Sequence, residues 1–431
     1  MRRVLTVLTM AAVVVVPLWA GETERAAGFA AFDRGDNAAA RPLFRREAAE
    51  AAFWWAASET GAERKEAIEA ATRLAAGTGG WVEPAAQGLA AAEAGKGPEA
   101  VAAYRQAVAA PGADGRLWKV LGDQLTAAED RAGARAAYEK SVALLPDYPA
   151  ALIELGDLQR EASEFGPAFN SYNHAVGADG KPVAALIGRA AARLMMGDRD
   201  GTAADLDRAI SIAAPGSELY RALISSVSFS AYERKLPQGL DRAERAVAMW
   251  QELGHADIAA AAANATGRLL LETAADPAAA EAWYLRGGQI VAGSSIPQAE
   301  RTLWRVRELH GLARAAAARR ETDKAYQLAA EAQALMEKDT ANAEHYKWIG
   351  PYLTGYLLLA ERRYDEAIAE LTSSDTERAH IRLLVADAYA RKRDRQNARL
   401  WYERALAAST GLDVESVISR PAARAWLDKN R

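Results

Sequence analysis

Small and aromatic side chains recur in the middle of this chain at intervals of 34 residues. Three columns keep the interval between residues 81 and 215: Ala100, Ala134, Ala168 and Thr202; Gly88, Gly122, Gly156 and Ala190; and Tyr104, Tyr138, Tyr172 and Leu206. Within each unit the apolar positions follow the i, i+3, i+4, i+7 spacing of one helix face. An interval of this length is typical of a helix–turn–helix unit that stacks into a solenoid.

The unit over residues 115–145 shows its two helices most clearly. Its two apolar faces consist of Trp118, Leu121, Gly122 and Leu125 on the first helix, and of Ala134, Ala137, Tyr138 and Ser141 on the second. Packed helices reach axis separations of about 8 Å only where a small side chain lies at the crossing. The recurring glycine and alanine are therefore predicted to lie where the paired helices cross.

The same unit resembles the tetratricopeptide repeat. That family places an aromatic, a leucine and a small residue on the first helix, and alanine, a large aromatic and a closing proline around the second. The matching residues here are Trp118, Leu121, Gly122, Ala134, Tyr138, Ser141 and Pro146. The resemblance extends over four units and implies an all-α fold, a right-handed α–α superhelix of about ten antiparallel helix pairs.

The 34-residue interval is less regular on both sides of these four units. Residues 21–80 are predicted to form an N-terminal helical region with one tetratricopeptide-like unit, residues 81–215 four regular units, and residues 216–295 degenerate repeats. Three further units are predicted over residues 296–410. A capping helix is predicted over residues 411–431, because a terminal repeat needs a polar outer face. The consecutive Phe53, Trp54 and Trp55 cannot share one helix face, so at least one is expected to be partly exposed.

Residues 1–20 differ from the rest of the chain. Arg2 and Arg3 precede an apolar stretch over residues 4–19 that ends at Ala20, and this order is typical of a secretory signal peptide. The stretch is shorter than the ~20 residues of a membrane-spanning helix. Leu18 departs from the small-residue cleavage pattern, so an uncleaved anchor stays open as an alternative. The expected location is periplasmic or secreted.

Composition excludes several classes of site. The chain has no cysteine, which excludes disulfides and thiolate metal sites, and its net charge of −4 would not attract nucleic acid. None of the five histidines has the spacing of a metal-ligand pair. No lysine-serine or lysine-threonine follows the glycine-rich runs as in a phosphate loop, and nothing assigns acid and base roles to Asp205 and Asp207. No catalytic, cofactor-binding or metal-binding residue is predicted, and the protein is expected not to be an enzyme.

A polar stripe on the first helices is the remaining candidate site. In this family the first helices line the concave surface, and ligand contacts come from positions beside the packing face. The corresponding positions here are Arg116, Lys119, Asp123, Thr126, Ile153, Asp157 and Arg160. Family members that bind a peptide carboxylate place basic residues or asparagine at these positions. Lys119 matches this pattern. Asp123 and Asp157 do not, because their negative charges would repel a carboxylate. The stripe instead suits a peptide with both charged and apolar features; the alternative, ordinary exposed helix positions, stays open.

These features together predict an exported protein-interaction scaffold of a cell-envelope system. Its expected partner is a protein or peptide bound in the concave groove, with no nucleic acid and no membrane span beyond the signal peptide. Two alternatives remain. One is a structural subunit of an envelope assembly or secretion machine, and the other, less favoured, is a helical enzyme that acts on the cell wall.

Overall fold

The computed structural model describes residues 37–178 and 183–430, with the backbone alone for residues 37–47 and 62. In these residues the chain forms α-helices, two short 3-10 turns and no strand, and no described helix is long and apolar enough to cross a membrane. The predicted all-α solenoid of antiparallel helix pairs is confirmed. The predicted signal peptide lies outside the described residues.

The helices follow one another with short connections. In chain order they are α1 (Asn37–Ser58), α2 (Arg64–Ala75), α3 (Val82–Glu93), α4 (Gly97–Ala109), α5 (Gly115–Ala127), α6 (Arg131–Leu144), α7 (Pro149–Glu161), α8 (Phe165–Ala178), α9 (Val183–Met196), α10 (Arg199–Ile212), α11 (Ser217–Tyr232), α12 (Leu236–Glu252), α13 (Ala256–Thr273), α14 (Pro277–Ala292), α15 (Gln298–Ala318), α16 (Thr322–Lys338), α17 (Ala343–Ala360), α18 (Tyr364–Ser373), α19 (Ala379–Arg391), α20 (Arg395–Ala407) and α21 (Val414–Lys429).

The chain divides into two compact units, one up to Ala151 and one from Leu152 onward. In unit 1 the pairs are α1–α2, α3–α4 and α5–α6. In unit 2 the pairs from α9 onward are α9–α10, α11–α12, α13–α14, α15–α16, α17–α18 and α19–α20. The first helices of successive pairs in unit 2, from α9 to α19, also contact one another, so they form a continuous inner layer.

Glycine–tyrosine contacts explain the columns spaced 34 residues apart. A Cβ atom on Gly88 would lie 2.9 Å from Cδ2 of Tyr104, and one on Gly156 would lie 2.7 Å from Cε1 of Tyr172. Both tyrosines are fully buried. Each glycine therefore lets its helix approach the flat face of the tyrosine ring from the second helix of the same pair.

The three consecutive aromatics of α1 divide between core and surface, as predicted. Phe53 is fully buried, and its ring centroid lies 5.5 Å from that of Trp81. Trp54 packs against the same Trp81 at 5.8 Å, whereas 43% of Trp55 is exposed. Two of the three side chains therefore join α1 to the start of α3, and the third faces solvent.

The C-terminal helix α21 does more than cover the last pair. It packs on α19 and α20 and also on α11 and α13 in the middle of unit 2. The link before it is buried at Ser409, Thr410 and Leu412. Arg420 of α21 lies 5.5 Å from the ring of Phe165, which begins α8. The C-terminal segment thus runs from the last helix pair of unit 2 back to the first helices of the same unit.

Candidate functional site

The two acidic residues of the predicted stripe bind buried tyrosines. In both cases the tyrosine hydroxyl donates to an aspartate that lies 15 residues earlier in the chain, at 3.0 Å in Asp123–Tyr138 and at 2.7 Å in Asp157–Tyr172. Outside the stripe, Asp387 and Tyr402 form a third pair with the same spacing. Tyr104 has Leu89 at this position, and its hydroxyl has no hydrogen-bond partner among the described residues. The stripe carboxylates therefore anchor the second helix of their own pair.

The stripe residues of unit 1 are engaged within α5 and its N-terminus. Lys119 pairs with Asp123 at 2.8 Å, and both side chains are only partly exposed. Thr126 donates to a backbone carbonyl one turn earlier at 3.0 Å. Arg116 pairs with Asp114 at 2.7 Å, and the same aspartate caps the helix by accepting backbone N–H groups. Each polar group of this part of the stripe has an intramolecular partner.

The stripe residues of unit 2 contact the core and the C-terminal segment. Ile153 packs beside the ring of Tyr172 in a cluster of buried side chains. Arg160 donates to Asp157 at 3.0 Å and to the hydroxyl of Thr410 at 3.1 Å. In this unit, therefore, the cation of the stripe is held by the chain's own C-terminal segment.

A cavity of about 390 Å³ lies among the first helices of unit 2, and none of the residues of the predicted stripe lines it. Its side chains come from α13, α15 and α17, from Tyr284 of α14, from the residue that precedes α19 and from the start of α21. We call it the arginine cavity. The lining residues that define its chemistry are Arg268, Arg307, Arg314, Arg378, Trp304 and Trp348.

Two carboxylates bind three of the four guanidinium groups. Arg314 is 4% exposed and donates to Glu272 at 3.2 Å. Glu415, near the start of α21, accepts from Arg268 at 3.4 Å and also from Arg378. Buried charges require such partners, because an unpaired ion loses several kcal/mol of hydration. The carboxylate of α21 thus binds two of the arginines that line the cavity.

Arg307 has a different environment. Its guanidinium carbon lies 4.5 Å from the ring centroid of Trp304, a cation–π contact. Its Nη2 donates to Nε2 of His345 at 3.1 Å. Among the described residues no carboxylate forms an ion pair with Arg307, and burial lowers its pKa. It is therefore a cation whose charge no neighbouring acid neutralises.

Two buried histidines lie beside these arginines. His310 lines the cavity and is 8% exposed, and its ring centroid lies 4.9 Å from that of Tyr352. His380 is 1% exposed, and its ring centroid lies 5.8 Å from that of the same tyrosine. Burial lowers the pKa of both histidines well below 6.5, and the positive charges of Arg314 and Arg268 lower it further. Both rings are therefore neutral at neutral pH.

No described group of His, Asp and Glu residues has the arrangement of a metal site.

These histidines predict that stability falls on mild acidification. In the unfolded chain each takes up a proton below pH 6.5, whereas in the folded state each stays neutral, so the unfolded state binds more protons. Between pH 7.5 and 5.5 each histidine should therefore remove about 1.4 kcal/mol from the free energy of unfolding. Urea titrations followed by circular dichroism would measure this. His380→Gln should remove about half of the pH dependence that the two histidines cause. If the free energy of unfolding of the variant falls with pH as steeply as that of the native protein, His380 does not contribute as stated.

The arginine cavity was not predicted from the sequence, although one signal pointed to it. Arg268 and Arg314 each stand in a helical segment where their immediate neighbours are alanine, leucine or glycine. A helix that is apolar all round is buried, so a lone cation inside it is a buried charge that needs a partner. The sequence alone did not show which helices would bring these two arginines together.

The chain matches no protein-family model and no curated protein. Among solved structures it is similar to a tetratricopeptide repeat protein from Parabacteroides merdae, with 16% identity, a TM-score of 0.43 and coverage of 65% of this chain and 98% of that one. It is also similar to a Rap protein complexed with Competence and Sporulation Factor, with 12% identity, a TM-score of 0.39 and coverage of 91% and 98%. The apo form of RapI gives 12% identity, a TM-score of 0.49 and coverage of 85% and 97%.

Proposed function

We propose that this protein is an exported, non-catalytic interaction scaffold of a cell-envelope system, and that it binds a protein or peptide at the inner layer of unit 2. The observation that carries the proposal is the arginine cavity, where cations and aromatic side chains from successive first helices face one space. Arginine and tryptophan are the residues that most often dominate binding energy at protein interfaces. Helical repeat arrays commonly use such an inner surface for binding.

Export is supported by the beginning of the chain. The two arginines, the apolar stretch and the small residue at its end have the order of a signal peptide. The chain contains no cysteine, so it has no thiol that an oxidising compartment would alter. We therefore place the interaction in the periplasm or outside the cell.

Site-specific cross-linking in intact cells tests the proposal. A photoreactive amino acid at Asn264, which lines the arginine cavity, should cross-link to a partner found in the envelope fraction. The matched control carries the same group at Gln396, an exposed position on the second helix α20, and should give no such product. Equal products at both positions would contradict binding at the cavity. A permanent stoichiometric complex purified with the protein would instead favour the assembly-subunit alternative.

A further inference from the structure

We infer that the arginine cavity binds an acidic peptide segment with two neighbouring carboxylates, and that Glu415 competes with that segment for the same guanidinium groups. The inference rests on the proposed function and adds the chemical class of the ligand. Its first support is the charge balance. Four guanidinium groups line the cavity, and only Glu272 and Glu415 pair with them among the described residues. The cavity therefore carries an excess of two positive charges.

Unpartnered polar atoms of two side chains that line the cavity point in the same direction. Nε of Arg314 and Nε2 of His310 are buried and have no hydrogen-bond partner among the described residues. Both side chains are more than nine-tenths buried and line the cavity. A buried polar atom without a partner costs about 1–3 kcal/mol, so its presence calls for an explanation. A carboxylate oxygen from a ligand would accept from Nε of Arg314, and a second would accept from Nε2 of His310 in the tautomer that carries its proton there.

The walls of the cavity favour a peptide over a small ion. The guanidinium of Arg307 stacks on Trp304, and that of Arg378 lies 4.6 Å from the ring centroid of Trp348. These rings give apolar side chains of a ligand a surface to cover. The lining spans three neighbouring first helices, which at about 8–10 Å per step is about 16–20 Å. An extended peptide of about six residues covers that distance.

Glu415 shows that a carboxylate fits between these arginines. It is held by Arg268 and Arg378 at once, and its side chain is 16% exposed. Because it belongs to α21 it is always present near the cavity, at a high effective concentration. A ligand carboxylate must either replace it or bind against its negative charge. Removal of the Glu415 charge should therefore strengthen ligand binding.

The test uses the full chain and two labelled pools of hexapeptides, acetylated and amidated at their ends. The pools are identical except that the two central residues are both glutamate or both glutamine. Fluorescence anisotropy should show at least tenfold tighter binding of the glutamate pool. Arg307→Gln should weaken binding of the glutamate pool about tenfold, and Glu415→Gln should tighten it several-fold. Arg399→Gln, an exposed and paired arginine on α20, is the matched control and should change neither value.

Several results would overturn the inference. The first is that the two pools bind equally or not at all. The second is that Arg307→Gln keeps a native circular dichroism spectrum and does not change binding of the glutamate pool. The third is that Glu415→Gln weakens this binding. A glutamine pool with a free terminal carboxylate that binds as tightly as the glutamate pool would show recognition of a chain end instead. Equal displacement by inorganic phosphate would show a general anion site. If Asn264 still cross-links a partner, these failures leave the proposed scaffold role intact.

Discussion

Asp205→Ala is expected to lower the free energy of unfolding by about 3–5 kcal/mol. Asp205 is 3% exposed, and its two oxygens accept from Nε and Nη2 of Arg189 at 2.9 and 2.5 Å. Arg193 adds a third contact at 3.0 Å. Removal of the carboxylate leaves the buried Arg189, itself 9% exposed, without its bidentate partner. Urea titration at neutral pH measures the loss.

Asp207 provides a matched control two residues further along α10. Its side chain is 61% exposed and pairs with Arg242 at 2.7 Å. A pair as exposed as this contributes about 0–1 kcal/mol, so Asp207→Ala should leave the unfolding curve nearly unchanged. The double variant Arg189→Leu with Asp205→Leu should recover most of the loss, since neither charge is then buried alone. Equal effects of the two alanine substitutions would refute this interpretation of the pair.

Gly188→Ala is expected to lower the free energy of unfolding by about 1–3 kcal/mol, although alanine favours helix. A Cβ atom at this position would collide with the ring of Tyr172, which also packs closely against Gly156. The ring cannot withdraw, because its hydroxyl is held by Asp157 at 2.7 Å and the side chain is fully buried. The free-energy cost of overpacking therefore exceeds the gain of up to about 1 kcal/mol that alanine brings through helix propensity.

Two further variants separate this contact from a general effect of alanine. Gly177→Ala in α8 adds a Cβ that meets nothing within 4 Å, so it should be neutral or slightly stabilising. In a Tyr172→Leu background, Gly188→Ala should lose its cost because the colliding ring is gone. The measured quantity is the coupling energy of the double-mutant cycle. A coupling near zero would show that the ring moves aside.

The helix pairs and their internal contacts could be predicted from the sequence because they are local. Gly88 and Tyr104, or Asp157 and Tyr172, lie within one pair, so a single repeat contains the whole contact. That at least one of Phe53, Trp54 and Trp55 would be partly exposed followed from helix geometry in the same way, and the exposed residue is Trp55. Asp157 was assigned to a ligand stripe, yet its pairing with a tyrosine 15 residues later was also visible as a repeated spacing.

The arginine cavity and the path of α21 could not be predicted in this way. Arg268 and Glu415 are 147 residues apart, and Arg160 and Thr410 are 250 apart. Such contacts depend on the small rotation between successive pairs, summed over the unit. No side-chain pattern within one repeat specifies that sum. Arginine is also usually exposed, so its type alone does not indicate burial.

The return of the C-terminal segment to Arg160 also affects the order in which the chain can reach its native state. A chain made from its amino terminus completes the helices of unit 2 one pair at a time, each on the pair before it. Thr410 and Glu415 follow all of these helices in the sequence, and until they are synthesised Arg160, Arg268 and Arg378 lack these partners. Closing so long a loop is slow compared with forming neighbouring pairs. The contacts of this segment with Arg160, Arg268 and Arg378 are therefore expected to form after those between neighbouring helix pairs.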